Sequence, residues 1–140
     1  MVTEDYVSFE TAKLLKEKGF DEYCKSVYHV GSVCSVASLG CHDNEGYGAV
    51  IEEKQNSDFG KYDNAISAPT LQMAMKWLRE VHQLVVEPYY YFALGEWCVD
   101  IKHLEKRTEL EEFENIREKS YNTYEEACEA AIKYCLENLI

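Results

Sequence analysis

Cysteine and histidine are the residues here whose types could do chemistry: six Cys and four His occur in 140 residues. Cys24, Cys34 and the adjacent pair Cys41-His42 fall early in the chain, Cys98 and His103 in its second half, and Cys128 and Cys135 near its end. A structural zinc site asks for closely spaced pairs such as C-x-x-C, and none occurs. The gaps are wide and irregular, so neither zinc nor iron is expected. A thiol nucleophile needs a base within reach and a third group to orient that base. Cys98 with His103 and Cys41 with His42 are the candidate pairs, and they define one alternative function, a small Cys/His-dependent hydrolase or transferase. Neighbours in a turn seldom orient as nucleophile and base, because such partners usually meet through the fold. No oxyanion site or third residue is evident, so no catalytic residue is assigned and a non-enzymatic role is expected. Cys128 and Cys135, seven apart on one helix face, read as small buried hydrophobes.

The other chemical signals are weaker. Glu52-Glu53 and Glu111-Glu112 are adjacent carboxylates in a chain where carboxylates are everywhere. Gly46-Tyr47-Gly48 lacks the lysine and helix start of a phosphate loop. Met73 and Met75 read as core filling. No cofactor is expected.

Net charge is −12. That argues against binding nucleic acid or an anionic membrane through a basic surface. It also defines a second alternative, an acidic decoy competing with nucleic acid for a basic partner. The opening MVTEDYVSFE has acidic residues and no apolar run, so no signal peptide is expected. No stretch approaches the roughly 20 apolar residues of a membrane span. A cytoplasmic location follows, where thiols stay reduced. Eleven residues are Tyr, a side chain suited to half-buried and interface positions.

A chain of this length expects one domain, 1–140, with one sizeable core. Its clearest element is the helix Ala68 to His82. Pro69 suits a first turn and Ser67 or Thr70 can cap it. Leu71, Ala74, Met75, Leu78 and Val81 form the apolar stripe, widened by Trp77, and a His82 imidazolium would sit well at the C-terminus. An earlier helix spans Phe9 to Lys18, with Ser8 as N-cap, a Val7–Ala12 staple, Gly19 in the left-handed ending and Phe20 folded back on Leu15. A last helix begins with the capping box Thr123–Glu126. Its face carries Tyr124, Ala127, Cys128, Ala131, Cys135 and Leu139, with Ile132 and Leu136 at the edge.

Between the helices the period is two-fold or absent. Cys24 to Leu39 reads as an extended strand broken at Gly31, with Ala49 to Glu52 returning beside it and Gln55 to Ser67 as a loop. Leu84 to Ala93 and Trp97 to Ile101 are strands joined by a Leu94-Gly95 turn. His103 to Lys119 reads as a loop with a short strand near Phe113 to Ile116. The fold class is α+β: a small antiparallel sheet, hairpin plus meander, with about three helices on one face, in two layers. Leu78, Trp77, Trp97 and Ala131 should be among the least exposed residues.

The Leu94-Gly95 turn sets the two faces of its hairpin. A two-residue loop puts Phe92 opposite Trp97 and Tyr90 opposite Val99, and a four-residue loop, Ala93 to Glu96, keeps the same parity. The core face is then Tyr90, Phe92, Trp97, Val99 and Ile101. Tyr89 and Tyr91 point the other way, beside Cys98 and Asp100. With the helices spent on the core face, little remains to cover this one, and Pro88 marks an edge strand. Tyr89, Tyr91 and Asp100 are therefore the candidate protein-interaction residues.

Three stretches of text also resemble one family. SFETAKLLKEKGF, APTLQMAMKWLREVH and YNTYEEACEAAIKYCLENLI are similar to small uncharacterised proteins encoded by prophages and mobile elements of gut bacteria, over about a third of the chain. The resemblance implies a phage-accessory setting and no assigned activity. The expectation is a non-enzymatic accessory protein acting by protein–protein binding. It leaves a host protein, a phage protein or a second copy of the chain as the partner, with no direct nucleic-acid or membrane binding.

Overall fold

The computed structural model describes residues 1–29, 32–35, 53–60, 64–106, 108–109 and 119–140. The chain packs as two compact units, Tyr6–Pro69 and Met1–Asp5 with Thr70–Ile140. Three α-helices and two antiparallel sheets lie among the described residues, which is the α+β class.

In the Tyr6–Pro69 unit, helix α1 runs Phe9–Glu17. The Ser8 hydroxyl caps it by accepting from the Thr11 N–H. Val7 and Ala12 are both buried, as a staple across the cap requires. At the other end Gly19 takes φ +91°. Its N–H donates to the Lys16 carbonyl and the Phe20 N–H donates to the Leu15 carbonyl, the paired bonds of a Schellman ending. Strand β1 (Ser26–His29) pairs antiparallel with β2 (Ser32–Ser35) and with β3 (Ala65–Ser67). The stretch read as one broken strand is thus two strands, β1 and β2, paired antiparallel with Ser26 opposite Ser35 and His29 opposite Ser32. A 3-10 turn at Asn56–Asp58 and strand β3 lie where a loop was expected. Asn56 explains both: its amide donates to the Phe20 carbonyl at 2.7 Å and its oxygen accepts the Ser67 N–H at 3.0 Å. The expected strand at Ala49 to Glu52 lies outside the described residues.

In the other unit, helix α2 runs Leu71–His82. Thr70 caps it, accepting from the Met73 N–H, so Pro69 precedes the helix instead of opening it. Leu71, Ala74, Met75, Trp77 and Leu78 are buried, whereas Val81 is 55% exposed. The stripe therefore turns away before the last turn. Gln83 closes the helix at φ 59°, its N–H on the Leu78 carbonyl. Strands β4 (Leu84–Tyr91) and β5 (Glu96–His103) pair over their full length, and β6 (Thr108–Glu109) adds to β5 at Lys102 and His103. The strand expected near Phe113 to Ile116 lies outside the described residues. Helix α3 runs Tyr124–Asn138 with Thr123 accepting from the Glu126 N–H. The Glu126 carboxylate reaches the Asn122 N–H, one residue before the expected partner. Ala127, Cys128, Ala131, Ile132, Cys135 and Leu136 are buried. Ile132 and Leu136 are thus central to the buried face, while Leu139 is only half-buried. Helix α2 packs on β4 and on α3, and α3 packs on both β4 and β5. Among the described residues no helix is long and apolar enough to cross a membrane.

Candidate protein-interaction surface

The β4–β5 hairpin carries every candidate interaction residue. Its turn is not the expected two-residue loop. A tight hairpin turn on Leu94-Gly95 would need positive φ at both residues, which costs a leucine about 1–2 kcal/mol. The chain instead reverses over four residues, 92–95. Only Gly95 is left-handed, at φ +66°, and its N–H donates to the Tyr91 carbonyl at 2.9 Å. The register moves by two residues, so Tyr90 faces Trp97, Pro88 faces Val99 and Val86 faces Ile101. A two-residue shift preserves the faces, whereas a one-residue shift would have exchanged them. Tyr90, Trp97, Val99 and Ile101 share one face as expected. Tyr89, Tyr91, Cys98 and Asp100 share the other.

What the register does change is cover. Val99 and Ile101 are buried, but Trp97 is only half-buried, Tyr90 is exposed, and Phe92 lies in the turn at 87% exposure. Neither Tyr90 nor Phe92 belongs to the core, and Trp97 is not among the least exposed residues. Burial fades along β4 from Leu84 to Tyr91. The helices cover the Leu84–Ile101 end and leave the turn end open. Leu78, Trp77 and Ala131 are buried as expected.

On the outer face Tyr89 is 40% and Tyr91 45% exposed. Tyr89 stands opposite Cys98, Tyr91 opposite Glu96, and Asp100 opposite Glu87. Two like charges directly opposed repel. Lys102 meets Glu87 at 2.8 Å; an exposed pair of this kind contributes about 0–1 kcal/mol. Asp100 is half-buried and sits two residues further from the turn than Cys98. Cys98 itself is buried, so the outer face is covered at this residue and open at its tyrosines. Beyond β5, Tyr121 bridges Trp97 through a pair of 2.8 Å backbone bonds. Burial and the neighbouring Cys98 thiol push the Tyr121 hydroxyl up.

The inner face of the same end is an aromatic array that the reading of the sequence placed in the core. Phe92 meets Tyr90 at 5.2 Å, Tyr90 meets Trp97 at 5.4 Å, and Trp97 meets Tyr124 at 5.3 Å. Interplanar angles of 83°, 71° and 84° make each contact edge-to-face. Tyr124 is held from the other side by the Gln72 amide, which donates to its hydroxyl at 2.9 Å. The signal in the sequence was the run Tyr89-Tyr90-Tyr91-Phe92 itself. A half-buried strand alternates apolar with polar, and this run offers aromatic rings to both faces.

The thiol candidates are dispersed. Cys98 and His103 are an odd number of residues apart on β5, so the pleat sends them to opposite faces. The His103 Nδ1 accepts the Lys106 N–H at 3.4 Å instead. Cys41 and His42 lie outside the described residues. Burial pushes Cys24 up to about 12, Cys128 to about 11 and Cys135 to about 12. Among the described residues no three His, Cys, Asp or Glu side chains gather as a metal site would require.

No protein-family model, curated protein or solved structure matches the chain.

Proposed function

We propose that this protein is a non-enzymatic, cytoplasmic accessory protein of a phage or mobile element, and that it acts by binding another protein through the turn end of the β4–β5 hairpin. One observation carries the reading. Tyr89, Tyr90, Tyr91, Phe92 and Leu94 are each at least 40% exposed on one hairpin end. Aromatic side chains lose little conformational freedom when they bind, and Tyr and Trp dominate the energetics of interfaces. Contiguous exposed apolar surface of this kind marks interaction sites on monomers. Three of the thiols, Cys24, Cys128 and Cys135, favour the same reading. A thiol whose pKa is raised by burial is neutral at pH 7 and is a poor nucleophile.

The test is the double variant Tyr89→Ser, Tyr91→Ser in a pulldown from the native host. Binding lost with an unchanged thermal midpoint supports the interface. A fall in thermal stability alongside the lost binding would make these tyrosines part of the core, and the surface would be abandoned.

A further inference from the structure

We infer that the partner enters this surface with a cationic side chain, an arginine of a basic segment, seated against the Phe92–Tyr90–Trp97–Tyr124 array. This deepens the interface reading above and rests on it. The faces of aromatic rings carry negative potential, and a guanidinium within about 6 Å of a ring centroid is attracted to it. Successive rings stand at 83°, 71° and 84°, so neighbouring ring faces lie nearly at right angles and one cation beside such a pair can approach both faces. Contacts within the chain hold three of the rings, Tyr90, Trp97 and Tyr124, against one another. Tyr90 is paired across the strands with Trp97 and in ring contact with it at 5.4 Å. Gln72 holds Tyr124. Phe92, the most exposed ring, closes the row.

Charge selects a cation over a neutral apolar group. From Tyr89 to Trp97 the only charged residue is Glu96, and the segment holds no Lys or Arg. Glu125 lies close enough to Tyr124 to act on its hydroxyl electrostatically. The chain as a whole carries −12, which steers a basic segment toward it at low salt. Arginine is favoured over lysine because its planar, weakly hydrated head stacks on rings.

The probe is a short peptide alternating Gly and Arg, titrated into the full chain while tryptophan emission is recorded. Trp97 is half-buried in the array and Trp77 is buried in α2, so a change reports on the array. A saturable change is expected with the arginine peptide and none with its citrulline counterpart, which keeps the shape and loses the charge. Phe92→Leu with Tyr90→Leu should weaken binding by about tenfold. Phe92→Leu alone sits in the exposed turn, keeps the fold, and should weaken it by about threefold. Equal binding of the citrulline peptide, or affinities of the Phe92 variant within experimental error of the wild type, would overturn the inference, since diffuse charge attraction needs no particular ring. So would the absence of any saturable change. Tyr89→Ser, Tyr91→Ser leaves the array intact and should bind the arginine peptide as the wild type does. If that variant loses the native partner while the peptide ignores Phe92, the interface stands and the cation falls. If the peptide behaves as expected and the variant keeps its partner, the outer-face reading falls alone.

Discussion

Leu78→Ala and Val81→Ala, one helical turn apart on α2, should have opposite consequences. Leu78 is fully buried and Val81 is 55% exposed. Truncating Leu78 removes three buried carbons, which at about 0.8 kcal/mol each comes to about 2.4 kcal/mol of lost transfer energy. The cavity left behind adds up to about 2 kcal/mol more, depending on how far the neighbours relax. The site is backed by β4 and α3, both packed against α2, so collapse is restricted. The expected cost is about 2–5 kcal/mol. For a chain of this size that lowers the thermal midpoint by about 5–15 °C. Val81→Ala removes methyls that mostly face water and gains helix propensity, so its effect should lie within about 0.5 kcal/mol of zero. Urea unfolding followed by circular dichroism measures both. A Leu78→Ala loss below about 0.5 kcal/mol, the level of a surface change, would mean that α2 presents another face to β4. A Val81→Ala loss above about 2 kcal/mol would restore the wider stripe that helical spacing alone predicts.

Asn56→Ala should cost about 2–4 kcal/mol, because it strands the Phe20 carbonyl and the Ser67 N–H that the amide joins; a neutral result in thermal unfolding would show that water replaces it. Cys24, Cys128 and Cys135 should resist a thiol reagent in the native protein at pH 8 and react once it is unfolded, since burial holds their pKa values at about 11 to 12; fast native labelling of any of them, read by mass spectrometry, would contradict their burial. His82 is half-buried edge-on to Trp77 at 4.6 Å, and burial holds its pKa below the usual 6.5. The unfolded chain therefore takes up a proton first as pH falls through about 6.5, so the His82 contribution to stability is present above that pH and is lost below it. His82→Gln should flatten this part of the stability–pH curve, and an unchanged curve would place the dependence elsewhere.

Local chemistry made much of the fold legible before any coordinates. Ser8, Gly19 and Thr123 mark helix ends because a hydroxyl cap or a left-handed residue acts on its own few neighbours. The faces of β4 and β5 were readable because parity survives a two-residue error in the turn. What was not legible depends on partners distant in the chain. Nothing near Asn56 announces that it joins Phe20 to Ser67. Val81 fits the helical stripe as well as Leu78 does, and only the end of the cover on α2 separates them. His82 reads as a cation suited to a helix C-terminus, yet its burial favours the neutral ring. Trp97 and Phe92 were assigned to the core on parity, which says which face a residue occupies and not how far along the strand the helices reach.

The two faces of the hairpin end carry different physical loads, and that bears on how a function there can be tested. A two-stranded end without helical cover is marginal in water. The inner face supplies its own support: Tyr90 and Trp97 are directly opposed and in ring contact at 5.4 Å, a pair that adds about 0.5–1.5 kcal/mol beyond its buried area. Trp97 is tied further by its two backbone bonds to Tyr121 and by the ring of Tyr124. Substitution of Tyr90 or Trp97 therefore disturbs support and surface together. Across the strands on the outer face, Tyr89 and Tyr91 meet a thiol and a carboxylate, Cys98 and Glu96. Neither opposed residue returns the aromatic contact, so their rings contribute less to holding the end closed. That is why the outer-face pair separates binding from stability, and why Phe92, exposed in the turn and in contact with one ring only, does the same for the array.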